Sequence, residues 1–389
     1  MFPLTTIYLI RHAEAEGNLY RRIQGWYNSL ITGNGFRQIE ALEGRFRDIP
    51  VDAVYSSDLY RTMTTARAIY LPKNLPLQTD PGLREIHLGD WEDQTWGEVR
   101  HFDETEMLRF NHCDPTWQAP HGETLKMAGD RMVEAIARLA KKHPGQTVAM
   151  FSHGAAIRQA LSQIKGLTPD HWNDLPHGDN TCVTRIFFDG EKLTVDDSLM
   201  MDASHLPADI STLSKQAWWR KDNFKSQDLS LWFRTADWDR DRELYLNARR
   251  DAWLTTHGEH KPFDGAGFLT AAENHLNQSP RNLSFAMAGD RVVGVLELDS
   301  HRYEEEGCGY ISFCYIIPEM RERNLGVQLI GEAVSCFRPL GRDKLRLRCA
   351  PYNDRAQHFY RQYGFHKVGE EQNSIVPLDI LEKSIGYDR

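Results

Sequence analysis

The chain is 389 residues long, 41% hydrophobic and 26% charged, with a formal net charge of −9 at pH 7. That length accommodates two domains of ordinary size; no apolar stretch is long enough to span a membrane, and the negative balance argues against nonspecific nucleic-acid binding. The amino terminus lacks a basic region followed by an apolar core, so no secretion is indicated and a cytoplasmic location is expected. Cys113, Cys182, Cys308, Cys314, Cys336 and Cys349 form no CxxC pair and are expected as reduced thiols.

Residues 8–18 read YLIRHAEAEGN, an apolar run ending in Arg11-His12. The pattern predicts a buried strand that delivers a cation and an imidazole to its carboxyl end, where sites in open α/β sheets lie. Gln24-Gly25-Trp26, Asn28, Thr32 and Gly35 follow as a polar loop. Val54 to Leu59 (VYSSDL) then leads into Arg61 and Thr65-Ala66, and Leu83 to Ile86 (LREI) leads into Gly89-Asp90-Trp91-Glu92. Gly122-Glu123-Thr124 and Arg131 precede a second apolar run, Thr147 to Phe151, which ends in Ser152-His153-Gly154. Two strand-end histidines are hard to assign to packing. An Arg in a helical stretch is ordinarily solvated, and Glu92, Glu123 and Arg131 read more readily as caps or ion-pair partners than as catalytic residues.

In this order the motifs resemble the histidine phosphatase superfamily, also called phosphoglycerate mutase-like, over about residues 4–200. Ala13, Asn28 and Leu30 stand where the family usually has Gly, Asp and Pro. The resemblance implies a three-layer α/β/α domain in which His12 is the nucleophile, Arg11 and Arg61 bind the phosphoryl group, His153 is a third cationic donor and Glu85 is the proton donor. It also implies substrate binding at Asn18 and Gly154. The chemistry suits these residue types. A neutral imidazole is nucleophilic near pH 7, guanidinium groups match phosphoryl oxygens, and a leaving alkoxide requires an acid. No metal is implied. The stretch from Glu92 to Gly122 is modest beside the long insertion of mutases, which favours hydrolysis. Its Trp96, Phe102, Phe110 and Trp117 either offer apolar surface to a substrate or anchor a lid to the core.

Domain boundaries are expected at 1–202 and 229–389, with residues 203–228 as a connector whose Trp218-Trp219 packs between the domains. In the second half, residues 309–334 read as a strand, Pro318, a polar turn containing Arg321-Glu322-Arg323-Asn324-Leu325-Gly326, and a helix. Leu345 to Cys349 reads as a strand, followed by Asn353, Ala356, Phe359-Tyr360 and Tyr363-Gly364-Phe365. These features resemble the Gcn5-related N-acetyltransferase (GNAT) family over about residues 230–370, a mixed-sheet α+β fold that uses acetyl-CoA.

The resemblance implies that backbone N–H groups of Arg321, Arg323, Asn324, Leu325, Gly326 and Val327 cradle the pyrophosphate at a helix start. Asn324 replaces the first glycine of the motif and tolerates left-handed backbone geometry. Tyr315 and Ile316 are expected to offer backbone groups to the thioester and pantetheine arm, Asn353 to contact pantetheine, and Tyr360 to protonate the departing thiolate; the alternative for Tyr360 is a packing aromatic. Glu297, in the strand-like segment from Val292 to Leu298, is the candidate base, and it can equally face solvent. The acceptor region by analogy, Trp253 to Phe268, contains His257, Glu259, His260 and Lys261 in no readable pattern.

The whole reads as a bifunctional enzyme acting on a small phosphorylated metabolite and on an unidentified amine, without nucleic-acid or membrane partners. The alternative is a phosphatase whose second domain is an acetyl-CoA-sensing regulatory module.

Overall fold

In the computed structural model, strand β1 (Thr5–Arg11) is covered on both faces. Ile7 and Leu9 join one core with Met132, Ile136, Val148, Met150 and Ile157, while Tyr8 and Ile10 join another with Leu42, Phe46, Ala149 and Phe151. Successive strand side chains point to opposite faces, so a near-continuous apolar run is stable only between two helical layers. Helices Gly33–Phe46 and Tyr60–Tyr70 form one layer, and Leu125–Ala140 and Gly154–Ile164 form the other. Thr32 and Thr124 start two of these helices, their hydroxyls accepting the N–H of Gly35 at 3.0 Å and of Met127 at 3.1 Å. Each such cap contributes about 1 kcal/mol.

Strands β2 (Ala53–Ser56), β3 (Leu77–Thr79), β4 (Thr147–Ser152), β5 (Val183–Phe188) and β6 (Leu193–Val195) complete a sheet of order β3-β2-β4-β1-β5-β6. β1 and β4 are parallel neighbours, with Arg11 opposite Ser152. The next residues, His12 and His153, therefore leave adjacent strands at the same edge of the sheet.

The structure describes residues 3–215, 229–371 and 376–387. They group into two units, Met1–Gln94 with Phe102–Asp228, and Thr95–His101 with Leu229–Arg389. Residues 95–101, within the range expected for the first domain, thus group with the second unit. The expected connector begins as part of the first unit: Thr212 Oγ1 donates to Glu14 Oε2 at 3.0 Å, and Gln38 Nε2 donates to the Ile210 carbonyl at 2.7 Å. Trp218-Trp219 lies outside the described residues.

The second unit is built on β7 (Trp232–Thr235), β8 (Leu283–Ala288), β9 (Arg291–Asp299), β10 (Cys308–Ile316), β11 (Lys344–Cys349), β12 (His366–Glu371) and β13 (Leu378–Ser384). Their order is β12-β13-β11-β10-β9-β8-β7. The sheet is mixed, since β10 and β11 are parallel and the other neighbours antiparallel. That parallel pair joins only Cys308 to Ile311 with Lys344 to Leu347, and beyond it the two strands part. A register shift on β10 between Ile311 and Phe313, against β9, marks the same point and is the kind of irregularity that bends a strand. Helices Trp238–His257 and Gly265–Gln278 pack Tyr245, Ala248 and Ala272 against Phe285, Val295, Phe313 and Tyr315. Helix Gly326–Phe337 is buried along most of its length. No helix among the described residues is long and apolar enough to cross a membrane.

Candidate active site

The first site forms where β1 and β4 end. The His12 backbone is fixed on both sides: its N–H donates to the Ser152 carbonyl at 3.0 Å, and its own carbonyl accepts from Asn180 Nδ2 at 2.9 Å. The His12 and His153 rings lie 5.3 Å apart between centroids. His12 Nδ1 lies 2.7 Å from the Ala13 carbonyl. A carbonyl only accepts, so Nδ1 carries the hydrogen and Nε2 keeps its lone pair. Burial, then the charges of Arg61 and Arg11, hold the His12 pKa well below 6.5. The His12 ring is therefore neutral at pH 7.

Arg61 enters from the first turn of helix Tyr60–Tyr70 and is fully buried. Its Nη1 and Nη2 donate to the Tyr27 and Gly25 carbonyls at 2.9 and 2.7 Å, and its Nε donates to His153 Nδ1 at 3.1 Å. Sequence reasoning assigned His153 a positive charge; the structure corrects this. Burial first, then the charges of Arg61, Arg131 and Arg11, keep the ring neutral, with its hydrogen on Nε2 facing Ser57 Oγ at 3.0 Å. Arg11 donates through Nη1 to the Gly178 carbonyl at 2.6 Å, and its buried Nε has no partner among the described residues. A Cβ on Gly154 would lie 3.1 Å from that Nε, so glycine there lets the guanidinium approach the start of the helix.

Glu85 sits at the same helix start. Its Oε1 accepts the N–H of Ala156 at 2.7 Å and its Oε2 that of Ala155 at 3.2 Å, just beyond His153-Gly154. The loop carrying Glu85 is held by Arg131, which donates to the Gly82, Arg84 and Glu85 carbonyls at 3.0 Å each and pairs with Glu123 at 2.8 Å. Glu92 accepts the Trp26 and Leu88 N–H groups at 2.8 and 3.0 Å. These three residues support the loops around the site. Asn18 Oδ1 accepts the Ala15 N–H at 3.1 Å, which places it in the turn that opens helix Glu16–Tyr20.

In the lid, Trp117 is fully buried against Trp91 and Phe110, with ring centroids 5.3 and 4.7 Å away, while Phe102 is 72% exposed. Anchoring is the role these contacts support. Sequence reasoning gave no role to Thr65, Ser57 or Asn180. Thr65 was readable, since it follows Arg61 by one helical turn on the same face; its hydroxyl accepts the Ala13 N–H at 2.9 Å and donates to the Arg61 carbonyl at 2.6 Å. Asn180 reaches His12 only through tertiary structure.

In the second unit, Tyr315 packs in the core and its hydroxyl donates to Asp251 at 2.8 Å, while the Ile316 carbonyl accepts from Arg321 Nε at 2.8 Å. Arg321 also reaches Asp251 at 3.0 Å, and Arg323 is exposed. Asn324 adopts the left-handed geometry its residue type suits, at φ 56°, and Glu322 shares it at φ 62°. Leu325 and Val327 bury their side chains. Gly326 has a steric reason: a Cβ there would meet the Phe359 ring at 3.0 Å.

Asn353 is committed on both ends of its amide, accepting the Ala356 N–H at 3.2 Å as the cap of helix Asp354–Gln362 and donating to Thr256 Oγ1 at 3.2 Å. The Tyr360 hydroxyl bonds the Cys314 thiol; burial, then the thiols of Cys314 and Cys349, hold its pKa well above 10.

Glu297, the candidate base, is corrected outright. It is fully buried and accepts from Tyr245 OH at 2.8 Å, from Arg249 and from His275 Nδ1 at 2.7 Å. Burial works against its charge, but Arg249 and the bonds from His275 and Tyr245 bring its pKa below the usual carboxylate range. Both oxygens are engaged in a structural ion network.

Residues 7–198 match the histidine phosphatase superfamily (branch 1), and residues 226–365 match the acetyltransferase (GNAT) family. A probable phosphoglycerate mutase GpmB of Serratia proteamaculans (strain 568) is 34% identical over 163 residues, which cover 41% of this chain and 75% of that protein. One of Yersinia pestis (strain Pestoides F) is 33% identical over 165 residues, covering 42% and 76%. Among solved structures, Bacillus stearothermophilus YhfR is 33% identical with a TM-score of 0.50, covering 52% of this chain and 98% of that one. The chain therefore belongs to the histidine phosphatase superfamily and carries a GNAT-family acetyltransferase domain in the same polypeptide.

Proposed function

We propose that the first unit hydrolyses phosphomonoesters of a small metabolite through a phosphohistidine on His12, without a metal. The observation that carries this reading is the fixed tautomer of His12: Nδ1–H is engaged by the Ala13 carbonyl at 2.7 Å, so a neutral Nε2 lone pair is available. Nε2 attacks phosphorus, the ester P–O bond breaks, and Glu85 gives its proton to the leaving alkoxide. Water then attacks the phosphohistidine and returns a proton to Glu85, releasing phosphate and neutral His12. Arg11 and Arg61 balance the phosphoryl charge throughout, and the unpartnered Arg11 Nε is a donor awaiting an acceptor. The mutase named in the relatives would share the phosphohistidine and differ in the acceptor. The modest stretch from Glu92 to Gly122 favours water. A phosphate-release screen across a metabolite panel in EDTA, comparing the parent with His12→Ala, tests the reading: release that survives EDTA and depends on His12 supports it, and release by the variant removes it.

For the second unit, acetyl-CoA fits three features. The β10–β11 pairing ends at Ile311 and Leu347, the turn before helix Gly326–Phe337 has left-handed residues at Glu322 and Asn324, and that helix offers its first N–H groups. When bound, acetyl-CoA supplies a thioester for transfer to an amine. Tyr360 keeps its hydrogen at neutral pH and serves as a hydrogen-bond donor to sulfur; full transfer to a thiolate with a pKa of about 8.5 would be uphill. A second reading, an acetyl-CoA-sensing module, is favoured by the commitment of Glu297 to Arg249 and His275, which leaves the expected base without a free oxygen. Acetylation of any member of an amine panel supports transfer. Acetyl-CoA binding without acetylation, together with altered phosphate release, supports the module.

A further inference from the structure

Four buried hydroxyls near the first site have a carbonyl acceptor. Ser56 Oγ donates to the Ser57 carbonyl at 2.7 Å, Thr62 Oγ1 to the Leu59 carbonyl at 2.7 Å, Thr65 Oγ1 to the Arg61 carbonyl at 2.6 Å and Ser152 Oγ to the Leu83 carbonyl at 2.8 Å. Ser57 differs. It is fully buried, and its Oγ accepts the Leu59 N–H at 3.3 Å and faces His153 Nε2 at 3.0 Å. The direction of that second bond follows from the far side of the ring. Arg61 Nε–H points into His153 Nδ1 at 3.1 Å, so in the neutral imidazole the hydrogen is on Nε2, and Ser57 accepts it. Both lone pairs of Ser57 Oγ are then used and its hydrogen is not. Among the described residues no acceptor other than His153 Nε2 lies within hydrogen-bond reach.

We propose that the Ser57 hydroxyl donates to a phosphoryl oxygen of the substrate, as the last member of a chain running from Arg61 through His153; this rests on the phosphohistidine reading given above. A buried hydroxyl with an unused hydrogen is destabilising, and a phosphoryl group is the strong acceptor that the neighbouring guanidinium groups bring to this place. Each donor in the chain polarises the next. The charge of Arg61 thereby reaches the Ser57 hydrogen through a ring that stays neutral. His153 contributes to phosphoryl binding without becoming the third cation that its sequence setting suggests.

The test uses the full chain with Ser57→Ala and Ser57→Thr, a set of aryl and alkyl phosphomonoesters, and orthovanadate as the phosphoryl mimic. Ser57→Ala is expected to lower kcat/KM about tenfold to hundredfold, by the same factor for good and poor leaving groups. Vanadate affinity should fall by that factor. Ser57→Thr, which keeps the hydroxyl, should restore most of both. Should Ser57→Ala fail to fold, Ser57→Cys, a weak donor, should fall well below Ser57→Thr. Parent-like kcat/KM and vanadate affinity in Ser57→Ala, or in Ser57→Cys where Ala does not fold, would overturn the proposal. So would a loss confined to poor leaving groups. A parent that releases no phosphate from any ester and traps no phosphoenzyme would instead overturn the phosphohistidine reading, and this proposal with it.

Discussion

Arg61 Nε donates to His153 Nδ1 at 3.1 Å, and that contact fixes both the charge and the tautomer of the second histidine. The same guanidinium holds the Gly25 and Tyr27 carbonyls. Arg61→Lys is therefore not a conservative change, because one ammonium does not reproduce a planar fork with three fixed directions. We expect Arg61→Lys to lose about 10²–10³ in kcat/KM, within the range for removal of one preorganised donor. Activity within a factor of about three of the parent would show that charge alone suffices.

The lowered pKa of His12 has a kinetic consequence. Only the neutral imidazole attacks, and burial together with Arg61 and Arg11 keeps it neutral well below pH 6.5. The acidic limb of kcat/KM, corrected for substrate ionisation near pH 6, should lie clearly below 6.5. A limb centred on about 6.5 would mean that the ring titrates as it does in water.

Glu85 acts only where the leaving group needs a proton. Glu85→Gln keeps the size of the side chain and one oxygen to accept from this helix start, where Glu85 uses one oxygen for Ala155 N–H and the other for Ala156 N–H. It should slow alkyl phosphates by about 10²–10⁴ and aryl phosphates with acidic leaving groups far less. Equal losses for both classes would remove Glu85 from the role of acid.

The two units should respond to pH in opposite directions. In the first, burial lowers the pKa of His12 and His153, and burial with the Arg45 charge lowers that of His205 to about 4. Below pH 6.5 the unfolded chain binds protons that the native unit refuses, so stability falls with falling pH. In the second, burial pulls His275 down but its bonds to Asp299 and Glu297 outweigh this and raise its pKa to about 9. That stabilisation is complete below 6.5 and is lost as pH rises through about 9. Calorimetry should show one transition falling between pH 6.5 and 5 and another falling between 6.5 and 9. Glu297→Ala should weaken the second dependence, leaving the part due to Asp299, and destabilise that unit by about 3–5 kcal/mol, since it leaves Arg249 buried without its partner. Parallel pH responses of both transitions would contradict this assignment.

The fold and the reacting groups of the first site were legible because each is written locally. His12 and His153 end apolar runs, Arg61 follows a strand-to-helix motif, and Thr32 and Thr124 precede periodic segments. What was not legible depends on burial and on partners distant in sequence. The neutrality of His153 arises from burial and from Arg61, 92 positions away. Asn180 reaches the His12 carbonyl across 168 positions. Glu297 reads as half exposed because it sits among alternating residues, yet β9 is covered on the face that carries it, and Arg249 and His275 arrive from two helices. Asn353 reads as a ligand contact; a helix cap has the same sequence pattern, and the cap is what its amide makes.

The most direct test of the account is to quench the enzyme during turnover and locate the phosphoryl group by peptide mapping under alkaline conditions, which preserve phosphohistidine. The account requires an acid-labile phosphoryl group on the peptide bearing His12, formed in EDTA, absent from His12→Ala, and decaying at the rate of phosphate release. Turnover with no phosphoryl group on His12, or with it on another residue, would contradict it.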